Sequence, residues 1–131
     1  MSEERTHEYT HGLHGWITHT ELSSDDPVAT RNWCAGVFGW AFQPVFASPA
    51  GDYHLFAYSK QGGGGIRQTA PGEAPGSTPT VHVDDTDQAY QAALAAGAES
   101  VAEPNDVMPG VRIALVRAPG GVLIGLSGPT A

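Results

Sequence analysis

The fold is decided by residues 17–40, which read ITHTELSSDDPVATRNWCAGVFGW. The opening part alternates like a half-buried strand and places His19 and Glu21 on one face. Acidic and hydroxyl residues that can cap a helix come next, Pro27 suits the first helical turn, and Gly39 ends the pattern. The stretch therefore predicts a strand followed by a helix, whose apolar residues recur at near-helical spacing: Val28, Trp33, Val37 and Phe38.

The same order of elements occurs twice along the chain. The first helix is followed by three candidate strands, AFQPVFAS, DYHLFAYS and GGGGIRQ, and then by a segment rich in Pro and Gly. The second half gives the strand TPTVHV, the helix DDTDQAYQAALAAGAE and the strands SVAEP, VRIALVRA and GVLIGLS. His19 aligns with Thr78 at an offset of 59 residues and Gly65 with Gly125 at an offset of 60, which indicates an internal duplication.

These patterns predict an α+β fold made of two tandem βαβββ modules. We expect a flexible tail over residues 1–13 and a single domain over residues 14–128. The domain is expected to contain two modules, at about 14–68 and 78–127, joined by a linker over residues 69–77.

Composition narrows the classes of function. Six Lys and Arg against 14 Asp and Glu give a net charge of −8, so nucleic acid and acidic membrane surfaces are poor partners. Cys34 is the only cysteine, which excludes an internal disulfide and favours a reducing compartment. No apolar run resembles a signal peptide or reaches the roughly 18 residues of a membrane span. We therefore expect a soluble cytoplasmic protein.

Two segments resemble the vicinal oxygen chelate superfamily, which contains glyoxalase I, bleomycin resistance proteins and extradiol dioxygenases. Residues 17–40 are similar to its first strand and helix, and ALVRAPGGVLIGL is similar to its last hairpin. The resemblance covers about residues 16–127 and implies that the modules form a cupped mixed sheet with helices on the outer face. It departs from the family pattern at Cys34, where tyrosine is common, and at Ala118, where aspartate is common.

The resemblance also implies where a metal ion would bind. In metal-dependent members, each module supplies one ligand from its first strand and one from its last. Carried over by position, the four places are His19, Gly65, Thr78 and Gly125, of which only His19 coordinates a metal strongly. We therefore expect neither a metal nor another cofactor, and we expect the two glycines to leave open space on the cavity side.

A shifted metal site is the alternative, in which His19, Glu21 and His82 hold a nickel, zinc or iron ion. We favour the interpretation that these residues line a polar cavity, because strand residues two apart are separated by about 7 Å. Arg67 shares the face of Gly65, and Arg112 points into the cavity if its apolar neighbours Val111, Ile113 and Leu115 pack under a helix. Each arginine then pairs either with ligand oxygens or with a neighbouring acid such as Glu21.

Other side chains are given structural interpretations. We expect Trp33 in the helix core, and Trp16 and Trp40 over an edge or a dimer contact. His54 is expected at a half-exposed strand position, and Cys34 is expected to pack on the inner face of its helix.

The sequence thus predicts a glyoxalase-like or bleomycin-resistance-like protein that binds a small amphipathic molecule without a metal. The alternatives are a lyase, isomerase or cyclase with Glu21 or His82 as general base, and a dimer whose cavity is vestigial. The resemblance implies a homodimer, or paired modules within one chain. The residues expected to contact the ligand are His19, Glu21, Arg67, His82, Arg112, Phe56 and Met108.

Overall fold

The structure is a computed structural model that describes residues 12–48 and 51–130. Within them it contains two helices and nine strands with mixed pairing, which confirms the α+β class. Nearly all of the predicted tail lies outside the described residues. The elements are β1 (Ile17–Ser24), α1 (Pro27–Phe38), β2 (Ala41–Phe42), β3 (Phe46–Ser48), β4 (Gly51–Ala57), β5 (Gly63–Gln68), β6 (Gly76–His82), α2 (Thr86–Ala95), β7 (Glu99–Met108), β8 (Val111–Arg117) and β9 (Leu123–Gly128).

The chain divides into two compact units with the same internal order of strands. The first unit is His19–Thr78, and the second consists of residues 12–18 and 79–130. In the first unit the strand order is β2-β4-β5-β1, with β3 antiparallel to β4. In the second it is β6-β9-β8-β7. Each unit pairs its first strand in parallel with its last and adds antiparallel strands beyond, as expected for a repeated βαβββ module.

Both helices begin at an aspartate cap. The Asp26 carboxylate accepts a hydrogen bond from the Ala29 N–H at 3.1 Å, and α1 ends at Gly39, whose φ of 71° suits glycine. The Asp85 carboxylate accepts one from the Gln88 N–H at 3.0 Å and starts α2. Neither helix in the described part of the chain is long and apolar enough to cross a membrane.

The second unit has a hydrophobic core between α2 and its strands. Tyr90 of α2 packs with side chains from three strands, and the Tyr90 hydroxyl donates a hydrogen bond to Ser100 Oγ at 2.6 Å. Burying each large apolar side chain contributes about 1.5–3 kcal/mol. The buried members of the core are Val83, Tyr90, Ala114, Val116 and Leu126.

In the first unit, α1 packs through a different stripe from the one that the sequence predicted. Cys34 is 3% exposed, as expected, whereas Trp33 is 58% exposed, so its assignment to the helix core is wrong. Thr30 fixes the orientation, because its Oγ1 lies 2.8 Å from Ser24 Oγ on β1. Apolar spacing identified the helix, but small and polar side chains decide which stripe meets the strands. The predicted apolar residues that lie exposed are Val28, Trp33, Val37 and Phe38.

Candidate functional site

The strands of the first unit have one face covered by α1 and a second face on the opposite side. His54 identifies the covered face, because Arg31 of α1 lies with its Nη1 3.1 Å from His54 Nδ1. Ser24 identifies the same face through its contact with Thr30. Side chains alternate along a strand, so their neighbours in sequence point the other way. The second face, called here the β1–β4–β5 face, carries His19, Glu21, Tyr53, Leu55, Gly65 and Arg67.

Tyr53 fills the space beside Gly65. Its aromatic ring lies so close to the Gly65 backbone that a Cβ atom at position 65 would overlap the ring atoms. The Tyr53 hydroxyl lies 3.0 Å from His19 Nε2. The prediction that Gly65 leaves open space is therefore wrong: the glycine allows a phenol to cover the strand at the position that the resemblance assigns to a ligand carboxylate.

The Tyr53–His19 pair has its charge states set mainly by burial. Desolvation lowers the pKa of His19, while the charge of Glu21 opposes that shift. Desolvation and the charge of Glu21 raise the pKa of Tyr53, while the charge of Arg67 opposes the rise. At neutral pH the imidazole is therefore neutral and the phenol is protonated, and the tautomer of His19 sets which of the two donates the hydrogen bond between them.

Arg67 is bound by two glutamates. Its Nε donates to Glu21 Oε1, and its Nη1 and Nη2 each donate to one carboxylate oxygen of Glu73 at 2.7 Å. The Ala70 N–H also donates to Glu73 at 2.8 Å. The Arg67 hydrogen bond and that of Ala70 lower the pKa of Glu73 to about 2, and Glu73 in turn raises the pKa of Arg67. The acid-paired alternative for Arg67 is thus present, and the cluster of three side chains has one negative charge in excess.

Phe56 was predicted to contact the ligand together with His19, but the two side chains lie on opposite faces of the strands. Phe56 lies on the α1 side, is 4% exposed and stacks on Trp40 with ring centroids 4.3 Å apart. His54 lies on that side too and is 4% exposed, so the expected half-exposed position is wrong. Both differences follow from strand pairing, which puts Phe56 opposite Gly64 and leaves Leu55 opposite Gly65.

In the second unit, Gly125 lies beside Thr80 on the face opposite α2. Its neighbour Leu126 belongs to the core, so Gly125 points away from the helix. A Cβ atom at position 125 would lie 2.7 Å from Thr80 Oγ1, so the expected open space is wrong here as well. His82 is on the same face of β6 as Thr80 and is 6% exposed. Its backbone N–H donates to the Trp16 carbonyl at 2.7 Å.

Arg112 lies on the helix side of the second unit, contrary to the conditional prediction. Ala114 and Val116 follow it at two-residue spacing and belong to the core under α2. The Arg112 guanidinium donates to Asp87 of α2 and to Asp106 of β7, both at 3.1 Å. These hydrogen bonds raise the pKa of Arg112, with the larger effect from Asp106 and the smaller from Asp87. The residues wrongly expected under the helix are Val111, Ile113 and Leu115. The last predicted contact, Met108, is half-exposed at the end of β7.

The residues present do not fit the metal site that the resemblance implies. Of the four corresponding positions, Gly65 is covered by a protonated phenol, Gly125 by a threonine side chain, and only His19 has an imidazole. Within residues 12–48 and 51–130, no group of three or more His, Cys, Asp or Glu side chains is placed to hold a metal ion. A catalytic metal usually takes about three such protein ligands.

Tyr53 and Glu73 are the members of the site that the sequence interpretation missed. Tyr53 precedes Leu55 by two residues on the strand opposite Gly65, so pleat alternation places both on the face of that glycine. A strand glycine opposite an aromatic-rich strand is a usable signal, because the missing side chain leaves room for a ring. Glu73 sits in the Pro/Gly segment and offered no periodic signal.

Comparison with known proteins gives a family match and several structural neighbours. Residues 16–126 match the Glyoxalase/Bleomycin resistance protein/Dioxygenase superfamily. No curated protein sequence is significantly similar to the chain.

Three solved structures illustrate the structural likeness. Hypothetical protein BH1468 from Bacillus halodurans C-125 has a TM-score of 0.73 and 11% identity, covering 89% of this chain and 96% of that one. Methylmalonyl-CoA epimerase from Mycobacterium tuberculosis has a TM-score of 0.72 and 17% identity, covering 92% of each chain. A mutant 4-hydroxymandelate synthase from Streptomyces coelicolor has a TM-score of 0.73 and 16% identity, covering 91% of this chain and 40% of that one. At these identities the likeness concerns the fold alone.

Proposed function

Because this chain belongs to the Glyoxalase/Bleomycin resistance protein/Dioxygenase superfamily, we propose that it binds a small amphipathic molecule on the β1–β4–β5 face without a resident metal ion. Leu55 and the Tyr53 ring supply apolar surface on that face. His19 and the Arg67–Glu21 pair supply hydrogen-bonding groups beside it. Binding sites for small molecules generally combine apolar walls with a few fixed polar groups.

The observation that carries the proposal is the Tyr53 ring over Gly65. A metal-binding relative needs an ionised ligand at this position, whereas here a protonated phenol occupies the volume and is hydrogen-bonded to the only strong ligand left, His19. The same arrangement fixes a hydroxyl and an imidazole edge beside an aromatic ring. Such a surface offers an organic ligand both ring contact and hydrogen bonds.

The proposal is tested by a thermal-shift screen of small molecules on protein purified without a His-tag, followed by calorimetric titration of the hits. A ligand at about 100 times its dissociation constant adds roughly 2.7 kcal/mol of stability. Tyr53→Phe removes the hydroxyl and His19→Ala removes its partner, and both are expected to weaken binding at least fivefold. The matched control is Tyr58→Phe, a half-exposed tyrosine in the aromatic cluster of Phe56. Hits that bind all four proteins equally would refute the assignment to this face.

A second candidate function is proton-transfer catalysis by a lyase, isomerase or cyclase, with Glu21 as the base. It is favoured by the protonated Tyr53 phenol beside His19, which can donate a hydrogen bond to a ligand oxygen that gains negative charge during the reaction. His82 remains an alternative base on the second unit. The test is deuterium incorporation from D2O into a bound hit, followed by proton NMR. Incorporation that Glu21→Gln abolishes would establish catalysis, and its absence with every hit would leave only binding.

A further inference from the structure

We propose that Glu73 occupies a carboxylate-binding site on Arg67, and that the ligand of this protein carries a carboxylate that takes its place. The inference rests on the proposed function and narrows it to a class of ligand. Glu73 and the ligand carboxylate then compete for the guanidinium of Arg67.

The geometry around Arg67 is that of carboxylate recognition. Nη1 and Nη2 face the two oxygens of Glu73 in parallel at 2.7 Å, which is the bidentate arrangement that a guanidinium makes with a free carboxylate. Nε is used separately by Glu21. The outer edge of the guanidinium is thus a complete binding fork, and the group that fills it belongs to the chain.

The two glutamates differ in how they are held. Glu21 is part of β1 and its backbone is paired with Gly65, so the sheet fixes the position from which its side chain reaches Arg67. Glu73 belongs to a turn outside the strands, closed by its N–H donating to the Ala70 carbonyl at 2.9 Å, with Gly72 at a φ of 81°. Thr69 anchors the start of this segment through its bond to Asp25 at 2.6 Å. Glu73 can therefore withdraw while the sheet and the anchor stay in place.

Arg67 also lies where a ligand would need it. It is two residues from Gly65 on β5, on the same face as the Tyr53 ring, and its charge is felt by the Tyr53 phenol. A carboxylate held on the outer edge of Arg67 would place the rest of a small molecule over Leu55 and Tyr53. The exchange conserves charge at the guanidinium, because one carboxylate replaces another and Glu73 returns to water. A neutral ligand has no means of displacing Glu73.

The test compares benzoate with its neutral isostere benzamide by NMR titration of the wild type and of Glu73→Ala. If Glu73 leaves the fork free about one-tenth of the time, its removal raises benzoate affinity roughly tenfold. Benzamide affinity should be the same in both proteins. In the wild type, benzoate should also shift the Ala70 amide, because that N–H loses its bond to Glu73. Glu99→Gln removes one surface negative charge elsewhere and controls for net charge.

Each outcome decides the proposal. A benzoate affinity that changes less than twofold in Glu73→Ala, or that rises equally in Glu99→Gln, overturns it. Arg67→Lys keeps the charge but removes the fork, so it should lower benzoate affinity, with melting temperature as the check on folding. If screened neutral ligands bind through Tyr53 while benzoate does not bind Glu73→Ala, the carboxylate inference fails and the proposed function stands. If no ligand binds any of these proteins, both fail.

Discussion

Gly65→Ala is expected to destabilise the protein because the Tyr53 ring occupies the space that the added methyl group needs. The ring overlaps the position of a Cβ atom at residue 65, so either the phenol or the strand has to move. Inserting a methyl group into such a contact typically costs about 1–3 kcal/mol. In a chain of this size that is a fall in melting temperature of roughly 4–12 °C.

The cost should depend on Tyr53. Chemical denaturation of Gly65→Ala, Tyr53→Ala and the double mutant gives a coupling energy, which we expect at about 1–3 kcal/mol because residues in direct contact are not additive. Gly76→Ala is the matched control, since no atom lies within 4 Å of a Cβ atom built there. It should be neutral or stabilising by up to about 1 kcal/mol. Equal effects of Gly65→Ala and Gly76→Ala, or additive effects with Tyr53→Ala, would refute the placement of the ring.

Three further predictions concern Arg112, His19 and Cys34. Arg112→Ala should lower the free energy of unfolding, because it breaks the hydrogen bonds to Asp87 and Asp106. It should change the affinity of a screened hit less than twofold. A larger loss of affinity, measured by calorimetry, would place Arg112 in the binding site. The pKa of His19 in the folded state lies below its ordinary value of 6.5, so the unfolded state takes up a proton first, and the free energy of unfolding should fall as pH drops through 6.5. His19→Gln should flatten that dependence in urea titrations at pH 7.5 and 5.5. An unchanged slope would contradict the lowered pKa of His19. Cys34 is buried and burial raises the pKa of its thiol, so it should react with a thiol reagent only on unfolding, and prompt labelling of the native protein would contradict its placement.

The order of the helices and most strands was predictable because it follows from periodicity and capping, although the predicted strand AFQPVFAS is two strands, Ala41–Phe42 and Phe46–Ser48. Alternation in β1 placed His19 and Glu21 on one face, and Asp caps and glycines marked both helices. The parallel pairing puts Glu21 beside Gly65 and Thr80 beside Gly125, which agrees with the duplication inferred from sequence offsets.

The features that the sequence did not predict depend on which face of the sheet a helix covers and on which side chain fills the space beside a strand glycine. Alternation along β8 allows two assignments, and only the packing of Ala114 and Val116 under α2 shows that Arg112 faces the helix. Likewise, a strand glycine is compatible with open space or with a covering side chain. Tyr53 covers Gly65 from a different strand, so the choice rests on a tertiary contact that local pattern does not contain.

The central claim is that the β1–β4–β5 face binds an organic ligand without help from a metal ion. Its most direct test is the affinity of a screened hit for tag-free protein before and after exhaustive treatment with EDTA, with metal content measured on the same samples. The account predicts one unchanged dissociation constant and no stoichiometric metal. Binding that disappears with EDTA and returns with one equivalent of nickel, zinc or iron would contradict it.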